Sequence, residues 1–433
     1  MDEAQYAALL QARENFRPEH ALETKEDFDR FYVPRPLSPL AELEVQIRHA
    51  SQEAKFLVYG HRGCGKTSEL NQLALSLVDS HFAVVLSLED EHDLSDIHYT
   101  ELLTALCRTL IYQANRHGLD VSKNLLTDVL AWFDTSEEIV SRELSAEGSA
   151  TEKVSLYFFE LFSKQKAELS KRHERRHKNQ ENEGELLVLI NRLITEVRAA
   201  DAVRCGHERP LFAIVDTLDR YKVEVVKEVF KNTAALRAPN MTMIYTVPLA
   251  YSRDQSFSDV LRDFGDHRCT IPILTLFTMD GQRDERAWGL AYAILELRRA
   301  GVEMTDAVQN MLIAGSGGVL SVLFTLCYSA CVAALARNSP AVTEQIARDA
   351  LIDRRERFYE FLDEADYQTL SQKMPNRMPK VDDRFRKLIY ESCILEHATD
   401  GKRWYDLHPL VRELVDEWRT ERAAEPSNIQ DTL

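Results

Sequence analysis

One eight-residue segment, Gly60-His61-Arg62-Gly63-Cys64-Gly65-Lys66-Thr67, constrains this chain more than any other. The run before it, Lys55 to Tyr59 (KFLVY), is apolar and predicts a buried strand, and the run after it predicts a helix from Lys66 to about Val78. Three closely spaced glycines let the backbone turn tightly, so that its N–H groups and the start of the following helix converge on one point. Donors that converge in this way bind an anion, and the G-x4-G-K-T spacing suits a nucleoside triphosphate. Lys66 would reach the β and γ phosphates, and the Thr67 hydroxyl would hold Mg²⁺. Residues Gly60, His61, Arg62, Gly63, Cys64, Gly65, Lys66, Thr67 and Ser68 are therefore the candidate cradle for ATP, with Mg²⁺ as its companion. The competing explanation, a glycine-rich surface turn, leaves the flanking strand and helix without a purpose.

Further apolar runs extend this beginning into a parallel α/β sheet. Phe82 to Leu88 is a second strand, Leu211 to Val215 a third, Met241 to Val247 a fourth stopped by Pro248, and Arg268 to Leu274 a fifth. Asp216 closes the third strand, where a carboxylate can serve Mg²⁺. Thr217 follows it and cannot act as a carboxylate base, so Asp219 is the next candidate for orienting a water, unless it pairs with Arg220. Thr246, near the end of the fourth strand, either positions water or is an ordinary β-branched strand residue. Lys66, Asp216, Asp219 and Thr246 form the candidate catalytic set, and slow hydrolysis is expected. Arg253, Arg262 and Arg268 come shortly after; each either reaches a neighbouring subunit's nucleotide or is a surface charge.

The 433 residues exceed one comfortable core and predict several domains. The divisions expected are an N-terminal segment over 1–50, an ATPase core over 51–275 with a helical insert over about 95–205, a helical domain over 276–352, a small mixed domain over 353–420 and a tail over 421–433. Residues 1–50 read as polar, with an extended run at Phe31-Tyr32-Val33, and Val223 to Leu236 reads as one helix. In the mixed domain, Ile394-Leu395-Glu396-His397 and Trp404-Tyr405-Asp406-Leu407 flank a turn, the signature of a hairpin. The net charge of −17 excludes indiscriminate coating of nucleic acid or anionic membrane. One local exception is Lys164 to Lys178, which holds seven basic residues against two acids and reads first as a solvated helix face.

No apolar stretch is long enough to span a bilayer, and the start, MDEAQ, is acidic where a signal peptide is basic. Seven dispersed cysteines predict reduced thiols, and together these features predict a cytoplasmic protein. Two motif look-alikes reduce to caps and turns, Thr24-Lys25-Glu26-Asp27 and Ser316-Gly317-Gly318.

Four segments in this order, GHRGCGKTSEL (60–70), LFAIVDTLDR (211–220), IYTVPL (244–249) and GSGGVLSVLFTLCYSA (315–330), resemble AAA+-related P-loop ATPases of the branch shared by origin-recognition and STAND-type proteins. The resemblance implies a P-loop NTPase parallel sheet, a helical lid containing PAVTEQIARDAL (340–351), and a C-terminal winged helix containing HPLVRELVDEW. It also implies that Tyr32-Val33-Pro34-Arg35 lies near adenine and that Thr246 is the first sensor. Where such proteins carry a lid arginine, this chain has Ser321. The implied function is an ATP-dependent switch that assembles as a homo-oligomer or controls a protein effector partner, as in prokaryotic antiphage systems. The alternative is a DNA-binding initiator or transposition regulator, with 382–393 as its groove helix and Lys402-Arg403 on its wing.

Overall fold

The computed structural model describes residues 1–35, 39–51, 53–87, 96–133, 182–372, 374–377, 379–399 and 401–424. The basic run at 164–178, within the expected insert, lies outside the described residues. The chain falls into two compact units, one of Pro39–Tyr59 with Glu69–Thr270, the other of Met1–Ser38, Gly60–Ser68 and Ile271–Leu433.

The first unit is built on a five-stranded sheet. Its strands are β1 (Lys55–Gly60), β2 (Phe82–Ser87), β3 (Leu211–Asp216), β4 (Thr242–Pro248) and β5 (Arg268–Thr270), in the order β2-β3-β4-β1-β5. The pairings β2–β3, β3–β4 and β1–β5 are parallel, with Leu86 opposite Val215 and Val215 opposite Tyr245. Every residue of β1, β3 and β4 is buried, as a sheet covered on both faces requires, which explains why these strands read as unbroken apolar runs. Within the expected insert, the helix Tyr99–Arg116 packs on the helix Glu183–Cys205. The latter buries Leu186, Leu189, Ile190, Leu193, Ile194 and Val197 along one stripe. Gly206, left-handed at φ 77°, ends it, and the buried Asp201 accepts two hydrogen bonds from Arg209 at 2.6 and 2.8 Å ahead of β3.

The second unit is mainly helical. The helix Glu3–Asn15 lies against the helix Leu320–Ala336, and Phe16 meets Phe324 at 6.3 Å. Arg298, buried at the end of the helix Glu285–Arg298, sits between the Phe31 and Phe324 rings at 5.0 and 4.7 Å. Its guanidinium also donates to the Phe31 carbonyl at 3.0 Å, fastening the N-terminal segment to the helical region. The helices Asp306–Gly315 and Glu344–Tyr359 complete the lid. The winged helix follows, with helices Glu364–Leu370 and Asp383–Tyr390, an antiparallel hairpin of β6 (Ile394–Thr399) and β7 (Lys402–Leu407), and the helix Pro409–Ala424. An α/β P-loop architecture with lid and winged helix is thus the observed fold, and all seven cysteines are free.

Several sequence expectations need correction. Residues 1–50 contain three helices, Glu3–Asn15, Lys25–Phe31 and Pro39–His49. Phe31 ends a helix begun by Thr24, whose side chain and that of Asp27 cap it reciprocally, so the extended run starts only at Tyr32. Val223 to Leu236 is two helices, Val223–Val229 and Thr233–Arg237, because the Asn232 side chain accepts from the Ala235 amide and starts a new one. The fifth strand stops at Thr270, since Pro272 has no N–H for the ladder and the Leu274 amide bonds to the Gly318 carbonyl. The last helix runs to Ala424, into the segment read as a tail.

Two histidines of the winged helix are buried as neutral rings. Burial lowers the pKa of His397, stacked on Trp404 at 4.3 Å, to about 4. Burial, with a smaller push from the Arg354 charge, lowers that of His408 to about 3. Both lie below the usual 6.5, so their stabilising contribution is complete above pH 6.5 and is lost as pH falls towards 4 and 3. At pH 5 each costs about 2 kcal/mol. Thermal melts are expected to show a clear fall in Tm between pH 7.5 and 5, and His397→Phe, which keeps a ring on Trp404, is expected to shrink that fall.

Candidate phosphate-binding site

The loop that leaves β1 has the conformation that its glycines permit. Gly63 and Gly65 are left-handed at φ 76° and 95°. The Cys64 amide donates to the His61 carbonyl at 3.2 Å, closing the turn. Lys66 begins the helix Lys66–Ser76 and is only 4% exposed. Its ammonium donates to the Gly60 and His61 carbonyls at 3.0 and 2.7 Å and lies 3.8 Å from the Cys64 sulfur. A buried ammonium is stable only with such partners, and these keep it inside the turn where an anion's charge would be met. Arg62 is exposed, and Thr67 and Ser68 are half-buried. The Ser68 hydroxyl accepts from the Leu22 amide at 3.0 Å, so this predicted cradle residue also anchors the N-terminal segment.

Three segments distant in sequence grip the loop, two by its backbone and one by a side chain. Arg35 donates to the Cys64 carbonyl and, at 2.9 Å, to the Pro272 carbonyl. This places the guanidinium of the segment read as an adenine neighbour on the loop itself. The Ser321 amide, in the first turn of the helix Leu320–Ala336, donates to the Gly63 carbonyl at 3.0 Å. At the position where an arginine was expected, the chain therefore offers a backbone contact. The third grip is the Glu396 amide of β6, which donates to His61 Nε2 at 2.7 Å. Each approach is close: a Cβ on Gly60 would lie 2.3 Å from the Ile271 carbonyl oxygen, one on Gly63 1.8 Å from the Ser321 hydroxyl, and one on Gly65 2.8 Å from Arg35. Arg35 and Ser321 were read for other roles and His61 only as a cradle residue. No local pattern could announce a partner 335 positions away.

The remaining candidates lie in the sheet unit. Asp216 ends β3 and is buried. Thr217, which replaces the expected acid, is buried with φ 72°, a conformation that a β-branched residue adopts only under strain, and its hydroxyl donates to the Asp216 carbonyl at 2.6 Å. Asp219 is buried in the short turn Leu218–Arg220. The Thr246 hydroxyl donates to the Val215 carbonyl on the neighbouring strand at 3.3 Å, tying the ends of β3 and β4 together. Arg253 lies 5.9 Å above the Tyr59 ring, Arg262 pairs with Asp259 at 2.9 Å, and Arg268 is exposed on β5.

Residues 39–244 match the AAA ATPase domain family. This stretch is similar to AAA ATPase domains. No curated protein matches the chain. Among solved structures, similar ones include CDC6P from Pyrobaculum aerophilum, at 11% identity and a TM-score of 0.41, covering 94% of this chain and 98% of that one. The Aeropyrum pernix ORC1 protein in complex with DNA is similar at 13% identity and a TM-score of 0.40, covering 95% and 98%. The ORC2 protein of the same organism, in ADPNP–ADP complexes, is similar at 12% identity and 0.40, with the same coverage.

The left-handed glycines and the buried Lys66 ammonium of the loop suit the nucleotide phosphate that a match to AAA ATPase domains implies. Among the described residues no group of three or more His, Cys, Asp or Glu side chains is arranged to hold a metal alone. Mg²⁺ usually takes one or two protein ligands and completes its shell with phosphate oxygens and water. Also among the described residues, no helix is long and apolar enough to cross a membrane.

Gly63→Ala is expected to destabilise the protein by about 2–4 kcal/mol, because its Cβ overlaps Ser321 and its φ is left-handed. Adding Ser321→Gly removes the overlap but not the backbone strain, so chemical denaturation should show partial recovery in the double variant.

Proposed function

We propose that the AAA ATPase-like domain binds ATP with Mg²⁺ and hydrolyses it slowly, and that the chain works as a nucleotide-controlled switch acting through self-assembly or a protein effector. Lys66 and the loop amides take the phosphates, Thr67 and Asp216 serve the magnesium, Asp219 orients the attacking water, and Thr246 holds the end of β4 against β3. Magnesium, when bound, supplies neutralisation of the charge on the transferring phosphoryl group. Slow turnover is the expected consequence of Thr217 standing where an activating acid would be, beside Asp216. The proposed domain boundaries are those of the sequence reading, with the lid helix carried to Tyr359 and the last helix to Ala424.

The observation that carries the switch reading is that the loop is held by lid and winged helix alike, through the Ser321 and Glu396 amides. An event at Lys66 therefore bears on the packing of both, which is how a ligand biases one arrangement over another. A role in antiphage defence is one setting for such a switch.

The second reading, a DNA-bound ATPase, needs basic residues facing outward on the winged helix. Arg384 pairs with Asp363 and the fully buried Asp366 at 2.8 and 2.7 Å, and Lys387 pairs with Asp366 at 2.8 Å. Arg386 pairs with Asp383, and Arg403 with Glu396 at 3.0 Å. With each of these four cations paired to a carboxylate of its own chain, a wing that serves its own chain is favoured. A salt-sensitive duplex shift lost in Lys402→Ala/Arg403→Ala would reverse that preference.

Calorimetry with ATP and Mg²⁺ should detect uptake by the wild type and at least tenfold weaker binding by Lys66→Ala. Size measurement by light scattering should show a shift with a non-hydrolysable ATP analogue that Lys66→Ala lacks. Identical size under all conditions would remove the switch. Asp216→Asn is expected to retain nucleotide uptake and to reduce turnover at least tenfold.

A further inference from the structure

The contact between His61 and β6 has a specific geometry. In the hairpin Glu396 stands opposite Tyr405. Tyr405 exchanges both backbone hydrogen bonds with Asn376, at 2.8 and 2.9 Å, so the Glu396–Tyr405 pair is one that does not bond across the hairpin. The Glu396 N–H consequently points away from β7, and its acceptor is His61 Nε2 at 2.7 Å. Glu396 and His61 are only 6% and 2% exposed. Accepting at Nε2 requires a neutral ring with its proton on Nδ1. The Glu396 carboxylate is held by Arg403 at 3.0 Å, which keeps this part of β6 in place against its partner strand.

The other end of His61 is tied to Lys66, whose ammonium donates to the His61 carbonyl at 2.7 Å. One residue thus carries the phosphate-binding lysine on its main chain and the winged-helix hairpin on its side chain. We propose that His61 is the coupling residue between the loop and the hairpin: when Lys66 turns from the His61 carbonyl to a phosphate, the His61 peptide reorients and the ring releases the Glu396 amide. The inference rests on the reading that the loop binds a nucleoside triphosphate, and it assigns the route by which occupancy reaches the winged helix. It makes His61 a positioning residue, acting on the hairpin and not on the reacting atoms.

Hydrogen–deuterium exchange of the segment 394–407 in the full chain tests it, with each protein measured at an ATP–Mg²⁺ concentration that calorimetry shows to be saturating for that protein. In the wild type, nucleotide is expected to speed exchange at the Glu396 amide at least tenfold. His61→Phe keeps a ring but has no acceptor, so exchange should already be at least tenfold faster without nucleotide and should change little on adding it. His61→Gln can accept again and should restore both the slow basal exchange and the response. If the wild-type hairpin is unaffected by nucleotide that calorimetry shows to be bound, the coupling is overturned while the nucleotide reading stands. A His61→Phe protein with wild-type exchange and full response overturns it equally. Absence of uptake by folded wild type would sink the nucleotide reading and the coupling together. Should His61→Phe fail to fold, the wild-type and His61→Gln measurements still decide the question.

Discussion

The Lys66 ammonium, enclosed in a turn of backbone and held by the Gly60 and His61 carbonyls, is the interaction on which the rest of this structure turns. A charge that is 4% exposed demands nearby oxygen partners, and only a tightly wound loop can bring two carbonyls to it at once. The winding needs left-handed backbone at Gly63 and Gly65. The same absence of side chains lets Ile271, Ser321 and Arg35 come close enough to touch the loop. The glycines therefore serve two ends, a turn that encloses the lysine and a surface on which other segments rest.

Those other segments are themselves secured by matched polar groups. Arg298 joins the Phe31 carbonyl to two aromatic rings and so holds the N-terminal segment. Asp366, fully buried, draws Arg384 and Lys387 onto the winged helix. A carboxylate so placed requires cationic partners, and its charge offsets that of two cations that themselves stay partly exposed. The winged helix presents less positive charge than its sequence suggests, in keeping with a chain of net charge −17. The unshared edge of β6 then offers its Glu396 N–H to the loop, because the register with β7 leaves that donor facing outward.

Much of this was legible in the residues. The parallel sheet could be read because strands buried on both faces are apolar throughout, as β1, β3 and β4 are, and because the glycine loop and the helix at Lys66 follow directly. The hairpin was legible from two alternating runs around a turn. The N-terminal helices were missed because the apolar residues of Glu3–Asn15, such as the buried Leu9 and Ala12, find their partners only in a distant helix, Leu320–Ala336. The break at Asn232 was missed because a capping side chain looks in sequence like any polar residue within a helix.

The sequence by itself determined that a strand, a glycine turn and a lysine-led helix follow one another, and that an aspartate ends another strand, since these depend on steric and hydrogen-bonding rules spanning a few residues. Only the tertiary structure decided what leans on that turn. Arg35, Ser321 and the Glu396 amide reach it from separate parts of the chain, and a backbone N–H carries no signature in sequence. The difference is physical: local conformation follows from the chemistry of adjacent residues, whereas the partner of a buried donor is fixed by the packing and register of segments hundreds of residues apart.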